Sequence, residues 1–390
     1  MQQNIGQLYT IPENEWNNSV CFVGKIKHIV DKGKICFYRI FDQSGEIQTV
    51  SYSKNKFKNG DHVMVEGKLQ RMFDRIEVSI TSISQIGDIN DRGISQNVID
   101  DKKLKALYIR SYALAAINSY FLENDFMQVH SPSIVSDWVV GQTGSFDMTF
   151  YGKKCHLTLS NMMYHEIMMI NGFSKIYEIA KIFRQEHPSS VKRLAEFTII
   201  DIGLAYQNAE TMMSVVEGMI NAIYDKLWEK KVKGLDDEIH FDRIEYNELV
   251  KEAGCENFKG SQFPKCIRDY LNSKYNSFVW VTGFPEDKRP FFVRSDENKK
   301  CFDYQLWYKG SIYFAAGGER ETNVNRIREK IRAEGKDDSK YDNILDFFKT
   351  SVPPMCGIGL GLERFLGTVI KDTNVADYIA FPRYQGHISP

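Results

Sequence analysis

Two short stretches of the 390-residue chain concentrate the residue types that handle phosphate. The first, FRQEHPSSVKRLAEFTIID over 183–201, sets Arg184 and Glu186 two apart on a predicted strand, so their side chains share a face. A polar segment carrying Lys192 and Arg193 follows, and Glu196-Phe197 open a second strand. Arginine grips phosphate with two parallel N–H donors, and an aromatic ring gives a base a stacking surface, so this pair of strands suits a nucleotide. A surface hairpin with a solvated, charged tip has the same pattern. The second stretch, CGIGLGLERFLGTVI over 356–370, alternates Gly357, Gly359 and Gly361 with aliphatic residues before Glu363-Arg364 begin a helix. Glycines on one face admit a ligand or another backbone at close range while the aliphatics fill a core. Arg364 at the helix start adds a cation where helix N–H groups also favour anions. No G-K-[ST] or GxGxxG pattern is present, which argues against Walker A and Rossmann phosphate sites.

These residues need a frame. The first ninety residues read as five short strands, VCFVGKIKHIV, KICFYRIFD, EIQTVSY, HVMVEGKLQ and EVSITSISQIG, parted by turns such as Asp31-Lys32-Gly33 and Asn59-Gly60-Asp61. Five strands without a long helix fit a small barrel, with the OB-fold and SH3-like barrels as candidates. The boundaries predicted are an OB-fold at 1–88, a polar and charged linker at 89–105, and a second domain at 106–390. Within the last, helices are predicted near 106–124, 161–172, 208–230, 321–334 and 361–371, with strands at 277–283, 290–294 and 311–317. Strands interrupted by helices without βαβ alternation indicate an α+β domain around an antiparallel sheet.

Fifty Lys+Arg against 51 Asp+Glu give a net charge of −1, which argues against a polybasic nucleic-acid coat but not against a local basic groove. At 43% hydrophobic and 13% aromatic residues, general disorder is excluded. The seven cysteines form no C-x-x-C pair and read as reduced, buried thiols of a cytoplasmic protein. The apolar run from Met162 to Ile170 is short and broken by His165 and Glu166, so no membrane span is expected.

Taken in order, these segments resemble the class II aminoacyl-tRNA synthetases of the aspartyl/asparaginyl subgroup. Asn124-Asp125-Phe126 leading to Pro132 resembles motif 1, Phe183-Arg184-x-Glu186 to Glu196-Phe197 motif 2, and Gly359-Leu360-Gly361-Leu362-Glu363-Arg364 motif 3. Phe302-Asp303, Gly317-Gly318-x-Arg320-Glu321, Pro353-Pro354 and Phe381-Pro382-Arg383 add further matches. The resemblance implies an anticodon-binding OB-fold, ATP with Mg²⁺, a tRNA partner, a homodimer built on motif 1, and a cytoplasmic role in protein biosynthesis. It implies that Arg184 and Arg364 are catalytic, on the α- and γ-phosphates. Glu186 would read the adenine amino group, Phe197 would stack on adenine, and Arg193 would replace the usual motif 2 histidine.

For the amino acid, Arg320 matches the arginine that holds the side chain, and Asp201 an acidic residue near the amino group. Ser160, Met162 and His165 stand in the family's Q-S-P-Q-x-x-K stretch, with His165 in place of the aspartate-selective lysine. Val140 replaces a glutamate that fixes the amine; Met355 and Cys356 replace a histidine and a glycine. Asp303 remains as a candidate metal ligand, while Tyr313 and Ala316 replace the other two. In the barrel, Phe37 and Gln48 match the residues that stack on and read the central anticodon base, whereas Val30 and Phe41 replace arginines. The lost lysine turns the expectation from aspartate toward asparagine, activated as its adenylate and passed to tRNA. Two alternatives follow from the altered pocket: a tRNA-independent paralogue that uses the adenylate to form an amide, or a non-catalytic regulator.

Overall fold

The computed structural model describes residues 2–87, 100–136, 144–186, 193–256, 258, 263–310, 313–371 and 374–387. The linker predicted over 89–105 falls mostly outside these. The chain divides into two compact units, Met1–Asn97 and Val98–Pro390.

The first unit is a closed barrel of β1 (Val20–Asp31), β2 (Cys36–Asp42), β3 (Gly45–Ser51), β4 (His62–Met72) and β5 (Arg75–Gln85), in the order β1-β2-β3-β5-β4. Alternation does the work that the sequence announces: Val20, Phe22 and Ile26 of β1 point inward onto Tyr38, Ile40, Ile47, Val63, Val65 and Val78.

The second unit holds the remaining strands: β6 (Met127–Gln128), β7 (Ile134–Val135), β8 (Asp147–Phe150), β9 (Lys153–Leu157), β10 (Lys175–Phe183), β11 (Glu196–Ala205), β12 (Phe241–Glu245), β13 (Phe278–Thr282), β14 (Asp303–Tyr308), β15 (Ala315–Glu319) and β16 (Met355–Gly361). Among the described residues, eight of them form one sheet in the order β12-β13-β14-β15-β16-β11-β10-β6, while β7, β9 and β8 form a second, small sheet. Pairing is antiparallel from β13 through β10, with β12 and β6 added parallel at the two edges. The helices Asp101–Glu123 and Ala209–Glu229 cover one face with Ile109, Ile117, Phe121, Val216, Ile220 and Tyr224, all buried against sheet residues such as Ile200, Ile202 and Ile358.

Several expectations shift. The first long helix begins at Asp101 rather than 106, because the Asp100 carboxylate caps it by accepting from the Lys103 N–H at 2.7 Å. Residues 290–294 form no strand; Val293 makes only an isolated bridge to Arg320. The strand expected at 311–317 is Ala315–Glu319, and 311–312 lie outside the described residues. Cys255 and Cys266 are joined in a disulfide, unlike the reduced thiols expected; Cys255 lies just past the helix Tyr246–Glu252 and Cys266 in the first turn of the helix Lys265–Lys274. The other five cysteines are free. No described helix is long and apolar enough to cross a membrane.

One buried tie fastens the helices Asp101–Glu123 and Leu362–Val369 to the sheet. The Glu363 carboxylate, 1% exposed, accepts the Thr198 N–H at 2.8 Å and lies 3.4 Å from Arg110, whose Nη2 also donates to the Thr198 hydroxyl at 2.9 Å. Glu363→Ala strands a buried N–H and a guanidinium together. It should lower stability by about 2–3 kcal/mol, read as a lower denaturation midpoint for the Val98–Pro390 unit.

Candidate active site

The glycine-rich strand β16 and its neighbours β11 and β15 form the floor of a cleft of about 330 Å³. The close approach expected of the glycines is real at Gly357 and at Gly359, where a Cβ would lie 2.6 Å from Ile199 Cδ1, and it extends to Gly317 on β15. A Cβ on Gly357 would lie 2.5 Å from Arg320 Nη2, and one on Gly317 would lie 2.2 Å from the Gly357 carbonyl oxygen. Gly361, in contrast, would meet nothing nearer than 3.7 Å.

Arg184, Glu186, Arg193, Phe197 and Arg364 all line this cleft, as do Ser160, Met162, Asp201 and Arg320. Chain order alone would scatter them over two hundred residues. Strand β10 ends at Phe183, so Arg184 and Glu186 lie just beyond it rather than on the strand predicted; the Arg184 N–H donates to the Ala195 carbonyl at 2.8 Å. The Arg184 Nε and Nη2 both donate to the Leu159 carbonyl, at 3.2 and 3.0 Å, which fixes the guanidinium plane. Its carbon lies 5.5 Å from the Phe197 ring centroid. Lys192 and Val140 lie outside the described residues.

At one end of the cleft sits a buried group of ionisable side chains. Arg320 Nε is 2.8 Å from Glu166 Oε1, both nearly inaccessible to solvent. His165 Nε2 is 3.0 Å from Glu178 Oε2, and its Nδ1 is 4.0 Å from Asp201 Oδ1. Glu178 is pinned from behind by the Ser131 N–H at 2.8 Å and hydroxyl at 2.7 Å. Despite these short contacts, His165 Nδ1, Glu166 Oε1 and Arg320 Nε make no aligned hydrogen bond. Burial pushes the Glu166 carboxyl up to about 7 against the pull of Arg320. Burial likewise raises Asp201, opposed by His165 and Arg320. Burial disfavours charge on His165, but Asp201 and the Glu178 hydrogen bond outweigh it and lift the imidazole above its ordinary value. Burial also penalises Glu178, yet hydrogen bonds from His165 and Ser131 hold it below the usual carboxylate range.

Glu166, Glu178 and Arg289 escaped the sequence reading. Arg289 lines the cleft and occupies Asp303, the expected metal ligand. That carboxylate, 2% exposed, is ion-paired with Arg289 Nε and accepts the Phe284 N–H at 3.0 Å. Asp303 is not among the cleft-lining residues, whereas Tyr313 and Ala316 are. Among the described residues, no three His, Cys, Asp or Glu side chains converge as a metal site. The donor set therefore does not fit a protein-held divalent cation.

The barrel carries a second hollow of about 320 Å³, lined by Lys27, His28, Val30, Phe37, Tyr38, Arg39 and Gln48. Phe37 and Gln48 are thus brought together as expected. Glu77, 1% exposed, accepts from Gln48 Nε2 at 2.8 Å and from Gln70 Nε2 at 2.6 Å. One Gln48 N–H is so engaged, which fixes the amide plane and leaves its second N–H and carbonyl oxygen available.

A sheet of this topology with an arginine-lined cleft on its central strands defines a tRNA synthetase of class II. Residues 94–385 match the family described as tRNA synthetases class II (D, K and N), and residues 20–86 match the OB-fold nucleic acid binding domain. The chain belongs to that synthetase family, whose members are ligases. It is 26% identical to the aspartate–tRNA(Asp/Asn) ligase of Methanopyrus kandleri, over 97% of each chain. It is 25% identical to the aspartate–tRNA(Asp) ligase of Thermococcus kodakarensis, over 97% of this chain and 98% of that one. The fold is shared with asparaginyl-tRNA synthetase from Pyrococcus horikoshii, solved with asparaginyl-adenylate, at a TM-score of 0.83 and 21% identity over 96% of each chain. The asparaginyl-tRNA synthetase of Entamoeba histolytica superposes at 0.84 with 18% identity, over 96% of this chain and 97% of that one.

Proposed function

We propose that this chain activates asparagine with ATP and transfers it to tRNA. The observation that carries this reading is the buried Arg320–Glu166 pair at the end of the cleft, Nε to Oε1 2.8 Å, with Arg320 on the cleft wall. A carboxamide supplies both complements: its oxygen accepts from Arg320 and its NH₂ donates to Glu166. A side-chain carboxylate would instead set a second negative charge against Glu166.

The other end of the cleft supports the nucleotide. Arg184 takes the α-phosphate, where charge grows as the substrate carboxylate attacks phosphorus and pyrophosphate leaves. Arg364 and Arg193 hold the outer phosphates, Glu186 accepts from the adenine amino group, and Phe197 stacks beneath the ring. Asp201 receives the substrate ammonium. Mg²⁺ travels with the phosphates and water rather than on protein carboxylates.

Pyrophosphate exchange measured across the twenty amino acids, followed by charging of total tRNA, tests the reading. Exchange with asparagine and charging of its tRNA uphold it. Exchange without charging favours the amide-forming paralogue, a reading supported by Tyr313 and Ala316 in the cleft wall. Phe37→Ala separates the barrel's part. Loss of one stacked base, worth about 1–3 kcal/mol, should raise the KM for tRNA about tenfold and leave pyrophosphate exchange unchanged.

A further inference from the structure

We propose that His165 is a positioning residue: its imidazolium, seated on Glu178, holds Asp201 as a charged acceptor in the cleft wall. This rests on the reading of Asp201 as the partner of the substrate ammonium.

Three elements stack these side chains in layers. Ser131 locks Glu178 with two hydrogen bonds, at 2.8 and 2.7 Å. Glu178 in turn holds His165 Nε2 at 3.0 Å. The opposite ring nitrogen, Nδ1, is buried, makes no hydrogen bond, and lies 4.0 Å from Asp201 Oδ1. Asp201 is the outermost member of the series and lines the cleft. The ring belongs to the helix Met162–Ile170, Glu178 to β10, and Asp201 to β11, so three separate elements build the stack. The remaining charged groups bearing on the imidazole are Arg320, which opposes its charge, and Glu166 beside it on the same helix.

Each layer has a task. A carboxylate as deeply buried as Asp201 tends to keep its proton, and a neutral acid cannot grip an ammonium. A cation behind it opposes that preference without touching the substrate. Glu178 is what keeps the imidazole charged in so dry a place. Arg320 also favours the ionised Asp201, but it is already paired with Glu166. His165 is the cation left to Asp201.

The test is the pH profile of the asparagine KM, read by pyrophosphate exchange in wild type and His165→Gln. Without the imidazolium, Asp201 takes up a proton as pH falls. The KM ratio of variant to wild type should climb from about twofold near pH 8.5 to about tenfold or more near pH 6, with kcat and the ATP KM little changed. His165→Lys restores a cation and should bring the ratio back toward one at both ends. Glu178→Gln, which weakens the hold on the imidazole proton, should reproduce the slope even if His165→Gln fails to fold. A loss equal at every pH in these variants, or no loss, overturns the proposal. Absence of exchange by wild type with any amino acid overturns instead the reading of the site on which it rests.

Discussion

Arg184→Ala abolishes pyrophosphate exchange, with an expected loss of about 10³-fold in kcat/KM, while circular dichroism and the thermal midpoint stay near wild type. The two halves of this expectation have separate causes. The side chain's hydrogen bonds go to a single carbonyl, that of Leu159, and it lies half-buried in the wall of an open cleft, so little of the core depends on it. Its interaction with the Phe197 ring at 5.5 Å contributes about 0.5–1 kcal/mol, too little to unfold a domain. Charge developing on a pentacoordinate phosphorus is another matter. There a fixed guanidinium acts without reorganising, and on the proposed reading Arg193 and Arg364 are engaged on the outer phosphates. Arg184→Lys should recover only a small part of the rate, since a single ammonium cannot reach the Leu159 carbonyl and the phosphate with the geometry of the fork. Full exchange activity in either variant removes Arg184 from the reaction.

Glu166→Gln should change which acid is activated. On the proposed reading the wild-type carboxylate accepts from the NH₂ of asparagine; a glutamine at the same place can donate to a carboxylate. Preference for asparagine over aspartate should fall by about 10²-fold, mostly through kcat/KM for asparagine. The direction of the pH effect follows from burial. Glu166 is lifted to about 7, so it is ionised above that pH and increasingly protonated below it. The asparagine-to-aspartate ratio of wild type should therefore decline as pH falls through about 7, and the decline should vanish in Glu166→Gln. A ratio that is flat with pH in wild type counts against the assignment.

These two residues differ in how plainly the sequence displays them. Arg184 stands in a stretch whose neighbours, Glu186 and Phe197, announce phosphate and base chemistry together. The barrel, the central strands and the helix after Gly361 were equally legible, since alternation and glycine spacing are local signals. Glu166 was visible only as an interruption in the apolar run 162–170, where it served to argue against a membrane span. A charged pair inside an otherwise apolar helix was itself the signal: His165 and Glu166 face inward because partners on β10 and beyond β15 await them. Those partners are distant in sequence, which no local pattern reveals. Asp303 failed for the same reason in reverse. Its motif neighbours suggested a ligand, but Arg289, fourteen residues earlier, reaches it first. Helix Asp101–Glu123 started early because one capping aspartate outweighed the polar look of the segment before it.

The floor of the cleft bears on how this enzyme can be altered. At Gly317 and Gly357 even a methyl group would meet a backbone oxygen or the Arg320 guanidinium at 2.5 Å or less. Met162, His165 and Glu166, by contrast, present side chains from one helix, and their backbone need not move when those side chains change. A library built to accept a new acid should therefore randomise 162, 165 and 166 and leave both glycines fixed. Directed evolution on this scaffold should recover altered specificity from one face of a single helix, while variants at 317 should be lost to misfolding and variants at 357 should displace the Arg320 guanidinium before their chemistry can be selected.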